Sequence, residues 1–162
     1  MEAYEKVKDK LEELNIDFEI VEHPPVLTTE EADSYIEGID GARTKSLFLT
    51  NKKKTVYYLL IMDGQKRLDM NKFGNITGTN HIKFCSTNSL MDKIGLFPGA
   101  VSIFGLLNNV EKDVQVYFDK EILLEDRMSF HPNDNTKTIF ISTDDMFKFI
   151  ESIGFKYEAI EL

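Results

Sequence analysis

The chain has 162 residues, of which 42% are apolar and 29% charged, and it carries a net charge of −9. That length supports one domain with a real core, expected to span residues 1–162, in an ordinary soluble composition. The longest apolar runs, such as residues 56–62, fall far short of a bilayer span, and the first residues lack a signal peptide's basic and apolar regions, so a cytoplasmic protein with no membrane association is expected.

The charge is uneven. Residues 43–83 hold nine Lys and Arg against only Asp63 and Asp69, a local balance of +7 that leaves −16 to the rest of the chain. A lysine-rich solvated hairpin around Lys52, Lys53 and Lys54 explains this as well as a phosphate-binding face does, the face then including Lys66, Arg67 and Lys72.

Tyr4, Val7, Leu11 and Leu14 form one apolar stripe, predicting a helix over residues 2–14. Residues 17–23 alternate apolar and charged side chains and read as a strand stopped by Pro24 and Pro25. Thr28 or Thr29 then caps a short helix running to Tyr35. Residues 44–50 and 55–62 form a hairpin of two largely buried strands around the lysine turn. Residues 68–73 read as a short helix, 81–85 as a strand, and Ser89 as the cap of a helix over 90–94. Further on, residues 114–118 and 136–142 read as strands, Thr143 caps a helix over 144–152, and residues 155–160 add an edge strand. The regular alternation of a dinucleotide fold is missing, so the expected class is α+β: a curved mixed sheet with helices packed around it.

Two glycines and a proline between Gly95 and Gly99 force a sharp turn with exposed amides, able to hold a carbonyl, a phosphate or a water. An ordinary loop with Gly95 closing the preceding helix fits the same spacing. Lys45 begins an otherwise apolar strand, which suits either a solvated lysine or an ammonium at the mouth of the core. His131 precedes a Pro-Asn-Asp-Asn turn and suits a structural hydrogen-bonder or a catalytic group. His23, His81 and His131 lie on separate elements without metal-ligand spacing, so no metal or other cofactor is expected. A single cysteine, Cys85, excludes an intramolecular disulfide and reads as buried and inert, and the G-x-S-x-G elbow is absent.

In chain order, residues 18–22, the His-Pro-Pro and Thr-Thr-Glu-Glu-Ala segments, Thr44-Lys45-Ser46-Leu47-Phe48-Leu49, Gly95-Leu96-Phe97-Pro98-Gly99-Ala100-Val101-Ser102 and Phe130-His131-Pro132-Asn133-Asp134-Asn135-Thr136 resemble the YbaK/ProX family of aminoacyl-tRNA deacylases. The match is nearest the freestanding type, similar to the editing domain inserted in bacterial prolyl-tRNA synthetase. The resemblance implies hydrolysis of alanine mischarged on proline tRNA, with that tRNA as partner and prolyl-tRNA synthetase as a further one. It implies Lys45, Gly95, Pro98, Gly99 and His131 at the reacting centre, and Thr28, Thr29, Ser46, Phe97 and Ser102 against the substrate. Ser46 stands where the family commonly has asparagine, which leaves cysteine as the alternative amino acid removed. An aminoacyl ester is already activated, so orientation and oxyanion stabilisation suffice without a catalytic triad. A non-enzymatic module that senses an amino acid or charged tRNA is the competing class.

Overall fold

The computed structural model describes residues 3–26 and 29–162; Thr28 and the side chain of Thr29, both expected at the helix cap and the substrate, lie outside the described residues. The elements are α1 (Ala3–Glu13), β1 (Phe18–Glu22), α2 (Thr29–Tyr35), β2 (Ala42–Thr50), β3 (Tyr57–Asp63), α3 (Met70–Thr77), β4 (Lys83–Phe84), α4 (Thr87–Ile94), β5 (Val114–Asp119), β6 (Arg127–Phe130), β7 (Lys137–Ser142), α5 (Thr143–Ser152) and β8 (Tyr157–Ile160). Two 3₁₀ turns, Ile103–Asn108 and Lys120–Leu124, fall in stretches where no element was expected.

The strands make one mixed sheet in the order β1-β7-β6-β2-β3-β5-β8, with β4 against β2, confirming the expected α+β class. β3 is apolar from Tyr57 to Met62 because both of its faces are covered. Leu59 and Ile61 enter the larger core beneath α1, α4 and α5, whereas Tyr58, Leu60 and Met62 meet Phe73 of α3 on the other face. Edge-on contacts among Tyr58, Phe73 and Tyr117, with ring centroids 5.4–5.7 Å apart, lock α3 to the sheet.

Several boundaries move for local reasons. α4 begins at Thr87 because Ser86, rather than Ser89, is its cap: Ser86 Oγ accepts the amide of Ser89 at 3.1 Å. The apolar stripe of that helix starts only at Leu90, which hides its polar first turn. Ser142, rather than Thr143, caps α5 by accepting the Asp145 amide at 3.0 Å, while the Thr143 hydroxyl donates to Glu125 O at 2.6 Å. α3 runs to Thr77 between an Asp69 cap and a left-handed Gly78. The strand expected over 81–85 is reduced to Lys83–Phe84, since His81 has φ 57°, outside the extended region.

The gap that makes the site comes from register. β2 pairs with β3 along Thr44–Thr50 on one side. On its other side it pairs with β6 only at Ala42 and Arg43, and with β4 only at Leu49 and Thr50. Residues 44–47 therefore present a strand edge with no strand beside it, in the middle of the sheet.

Candidate active site

A cleft of about 180 Å³ occupies this gap. Thr44, Lys45 and Ser46 of β2 line it, together with Ala32 and Asp33 of α2, Ile36 just after that helix, Gly99 and Val101 of the glycine loop, and Ser129, Phe130, His131 and Thr138 from the β6–β7 segment. Its volume is below the roughly 300–1,000 Å³ typical of pockets for drug-sized ligands, so it suits a small group.

Each wall is held by identifiable bonds. The Arg43 guanidinium donates to Ile36 O (2.9 Å), Ile39 O (2.6 Å) and Gly41 O (2.9 Å), clasping the end of α2 to β2. The glycine loop turns through Phe97–Ala100, with Pro98 and Gly99 at its centre and the Ala100 amide donating to Phe97 O at 3.1 Å. Gly99 has φ 95°, and a Cβ there would meet nothing within 4 Å, so backbone conformation alone demands glycine. The exit of the loop is tied to the histidine segment: Ser102 Oγ donates to Asn133 Oδ1 at 2.9 Å and accepts the Phe104 amide at 3.1 Å.

Lys45 makes no hydrogen bond or ion pair among the described residues. Burial pushes its ammonium below the ordinary lysine value, with Asp63 opposing that shift. His131 Nδ1 lies 3.0 Å from Lys137 O, an acceptor only, so that nitrogen carries the proton and donates. Burial lowers the His131 pKa, against the opposing bond to Lys137, and favours neutral imidazole with Nε2 as a base. Behind it, His23 Nδ1 donates to Pro24 O (2.9 Å) and Nε2 accepts from Thr138 Oγ1 (2.9 Å), the rings of His23 and His131 meeting edge-on at 6.2 Å.

Of the residues expected at the centre, Lys45, Gly99 and His131 line the cleft, as does Ser46 among the substrate contacts. Gly95 does not. It is the left-handed cap of α4 at φ 65°, its amide bonded to Met91 O, and a Cβ there would come within 3.0 Å of Asn108. Phe97 and Pro98 are exposed on the outer side of the turn, and Ser102 is fully buried in its structural bonds. Asp33, Thr44, Ser129 and Thr138 were not singled out from the sequence. Ala32 and Asp33 of α2 and Ile36 just beyond its end share a helical spacing, but nothing local shows that they meet β2.

The basic residues separate. Lys52, Lys53 and Lys54 are exposed at the β2–β3 turn, and Arg67 and Lys72 are exposed near the start of α3. Lys66 instead pairs with Asp119 at 2.7 Å and Glu121 at 3.2 Å, so its charge is neutralised within the protein. Cys85 is partly buried, and desolvation pushes its thiol up to about 11, which leaves it protonated at neutral pH.

The cleft thus brings a cation, an imidazole and a positive-φ turn around an open strand edge, a setting with room for a small polar group. Comparison with known proteins gives the class. Residues 23–149 match the family model described as the aminoacyl-tRNA editing domain, and the chain belongs to that family. It is 36% identical to the prolyl-tRNA editing protein ProX of Acetoanaerobium sticklandii, covering 100% of this chain and 99% of that one. It is 29% identical to the mouse prolyl-tRNA synthetase associated domain-containing protein 1 over 92% of this chain and 90% of that protein. A crystal structure described as a proposed trans-editing enzyme for prolyl-tRNA synthetase shares the fold, with a TM-score of 0.77, 18% identity, and coverage of 100% of this chain and 98% of that one. The protein is thus an aminoacyl-tRNA deacylase of the editing type. Among its described residues no helix is long and apolar enough to cross a membrane.

Proposed function

We propose that this deacylase acts in trans on proline tRNA carrying the wrong amino acid, and that the amino acid removed is alanine. The observation that carries this reading is the small cleft in the gap of β2, with Lys45, Gly99 and His131 around it. Similarity along the whole chain to a prolyl-tRNA editing protein supports the choice of tRNA, and similarity to a synthetase-associated domain makes prolyl-tRNA synthetase a proposed partner.

In this reading the Lys45 ammonium holds the ribose and phosphate of the terminal adenosine. The Gly99 amide, which the Phe97–Ala100 turn does not use, faces the ester carbonyl as charge develops on its oxygen. Water adds to the carbonyl carbon, the ester C–O bond breaks, and the tRNA hydroxyl leaves with a proton, giving free alanine and uncharged tRNA. His131 Nε2 polarises the attacking water, and Ser46 offers its hydroxyl to the substrate. The open backbone of residues 44–47 adds amide and carbonyl groups for orientation. Lys52, Lys53, Lys54, Arg67 and Lys72 supply the charge that meets the tRNA backbone.

The test is single-turnover deacylation of proline tRNA carrying alanine or cysteine. Faster release of alanine supports the reading, faster release of cysteine changes the substrate, and no release from either leaves a binding module.

A further inference from the structure

Asp33 is the only carboxylate among the residues lining the cleft. The polar groups around it are committed. Thr44 Oγ1 donates to Ser129 O, Ser129 Oγ donates to Ala42 O, Thr138 Oγ1 bonds His23, and His131 Nδ1 donates to Lys137 O. The Asp33 carboxylate makes no hydrogen bond or ion pair among the described residues. Its nearest cation does not close on it, because the Arg43 guanidinium is turned to the carbonyls of Ile36, Ile39 and Gly41 and lies over the Phe140 ring, 5.3 Å from its centroid.

A half-buried carboxylate in this position is poorly compensated. Val26, Ala32, Ile36, Val101 and Phe130 supply the apolar part of the lining, and desolvation raises the Asp33 pKa. The titratable groups that bear on it are Arg43 of β2 and His131, which oppose the rise, and Asp63 of β3 and Glu30 of its own helix, which add to it. A cationic ligand would restore the lost counter-charge at a site where water does so incompletely.

An aminoacyl ester supplies one such cation, the α-ammonium on the carbon next to the scissile carbonyl. Its phosphates are anionic and its ribose and methyl groups are neutral. We propose that Asp33 binds this α-ammonium, so that the cleft takes only esters whose amino group is free. The proposal rests on the deacylase reading and deepens it. Lys45 and Asp33, opposite in charge and lining one cleft, then orient the ester by its two ends: phosphate and ribose toward the lysine, amino group toward the aspartate. N-acylated esters, including peptidyl-tRNA, lose the cation, gain bulk and are refused.

The experiment is equilibrium binding of acceptor-stem oligonucleotides that end in a non-hydrolysable 3′-amide of alanine, N-acetylalanine or lactic acid. The wild-type protein should bind the free-amine form at least roughly ten-fold more tightly than either of the others, the scale of a charge-assisted hydrogen bond. In Asp33→Asn the ratio of alanine to lactic acid form should fall close to one, with affinity for the lactic acid form unchanged. Loss of fold would lower all three affinities together, and the wild-type series needs no variant. Equal binding of the three forms by a wild-type protein that hydrolyses alanyl-tRNA overturns the assignment of Asp33 alone. Discrimination that survives in Asp33→Asn does the same. Binding of none of the three overturns the deacylase reading and the assignment with it.

Discussion

Thr44 Oγ1 donates to Ser129 O at 2.6 Å, one residue beyond the last paired position of β2 and β6. It is a side-chain bond where a ladder bond would otherwise stand, and past it the strand edge is open to the cleft. Thr44→Val removes the donor and leaves the half-buried carbonyl without it. A loss of about 1 kcal/mol in stability is expected from denaturant unfolding. Deacylation should fall as well, because the width of the gap is set at this point. Unchanged stability and rate would show that this bond does not hold the cleft.

Lys45 contributes a different quantity. It has no hydrogen-bond or ion-pair partner among the described residues, so Lys45→Ala should leave the melting temperature within about 2 °C of wild type, as surface substitutions do. Single-turnover deacylation should drop by about 100-fold or more, the scale of a lost contact that positions the ester. A variant with full activity would remove Lys45 from the chemistry.

The imidazole of His131 sets the response to acid. Its folded pKa lies below the ordinary 6.5, chiefly through burial, so the unfolded chain binds its proton first as pH falls. The contribution to stability is therefore complete above 6.5 and is lost as pH drops from 6.5 through the folded value. The kcat/KM profile should show an acid limb below 6.5 for the same reason, and His131→Gln should flatten it. An identical limb in the variant would assign that proton to another group.

What could be read from the chain follows the range of the interactions. The strands over 44–50 and 57–63 carry their own apolar pattern, and Lys45, Gly99 and His131 stand in short segments with distinctive neighbours. β6 has too little pattern in Arg-Met-Ser-Phe to show itself, and its pairing with β2 joins residues more than 80 positions apart. That pairing makes the gap, so the cleft and Asp33 were illegible without it. The sequence leaves Gly95 open as a helix cap or a part of the loop, and the backbone makes it the helix cap at φ 65° and Gly99 the centre of a turn at φ 95°. The resemblance implies Ser102 as a substrate contact, whereas its burial and its bond to Asn133 give it a structural role in the frame.

Lysines of the basic segment should divide by experiment as they do in space. Lys66→Ala leaves Asp119, whose side chain is 3% exposed, without its partner, and should cost about 2 kcal/mol of stability. Neutralising Lys52, Lys53 and Lys54 together should leave stability nearly unchanged, weaken tRNA binding and reduce the dependence of affinity on salt by up to about three counterions. Those lysines lie beyond the end of β2 at Thr50, five strand residues or roughly 16 Å from Lys45 at about 3.3 Å per residue, so the rate at saturating tRNA should survive. A salt dependence unaltered by the triple variant would confine them to keeping the protein in solution.

The central claim is that the cleft in the β2 gap is an editing site that spares the correct product. It is tested most directly by the single-turnover hydrolysis rates of one proline tRNA charged with alanine and with proline. A pyrrolidine ring is bulkier than a methyl group and should crowd a cleft of about 180 Å³ that must also admit the ester and water. Overpacking of about 1–3 kcal/mol corresponds to a preference for alanine of at least roughly five-fold. Alanine released at least that much faster is the predicted result, and proline released as fast as alanine would contradict the account.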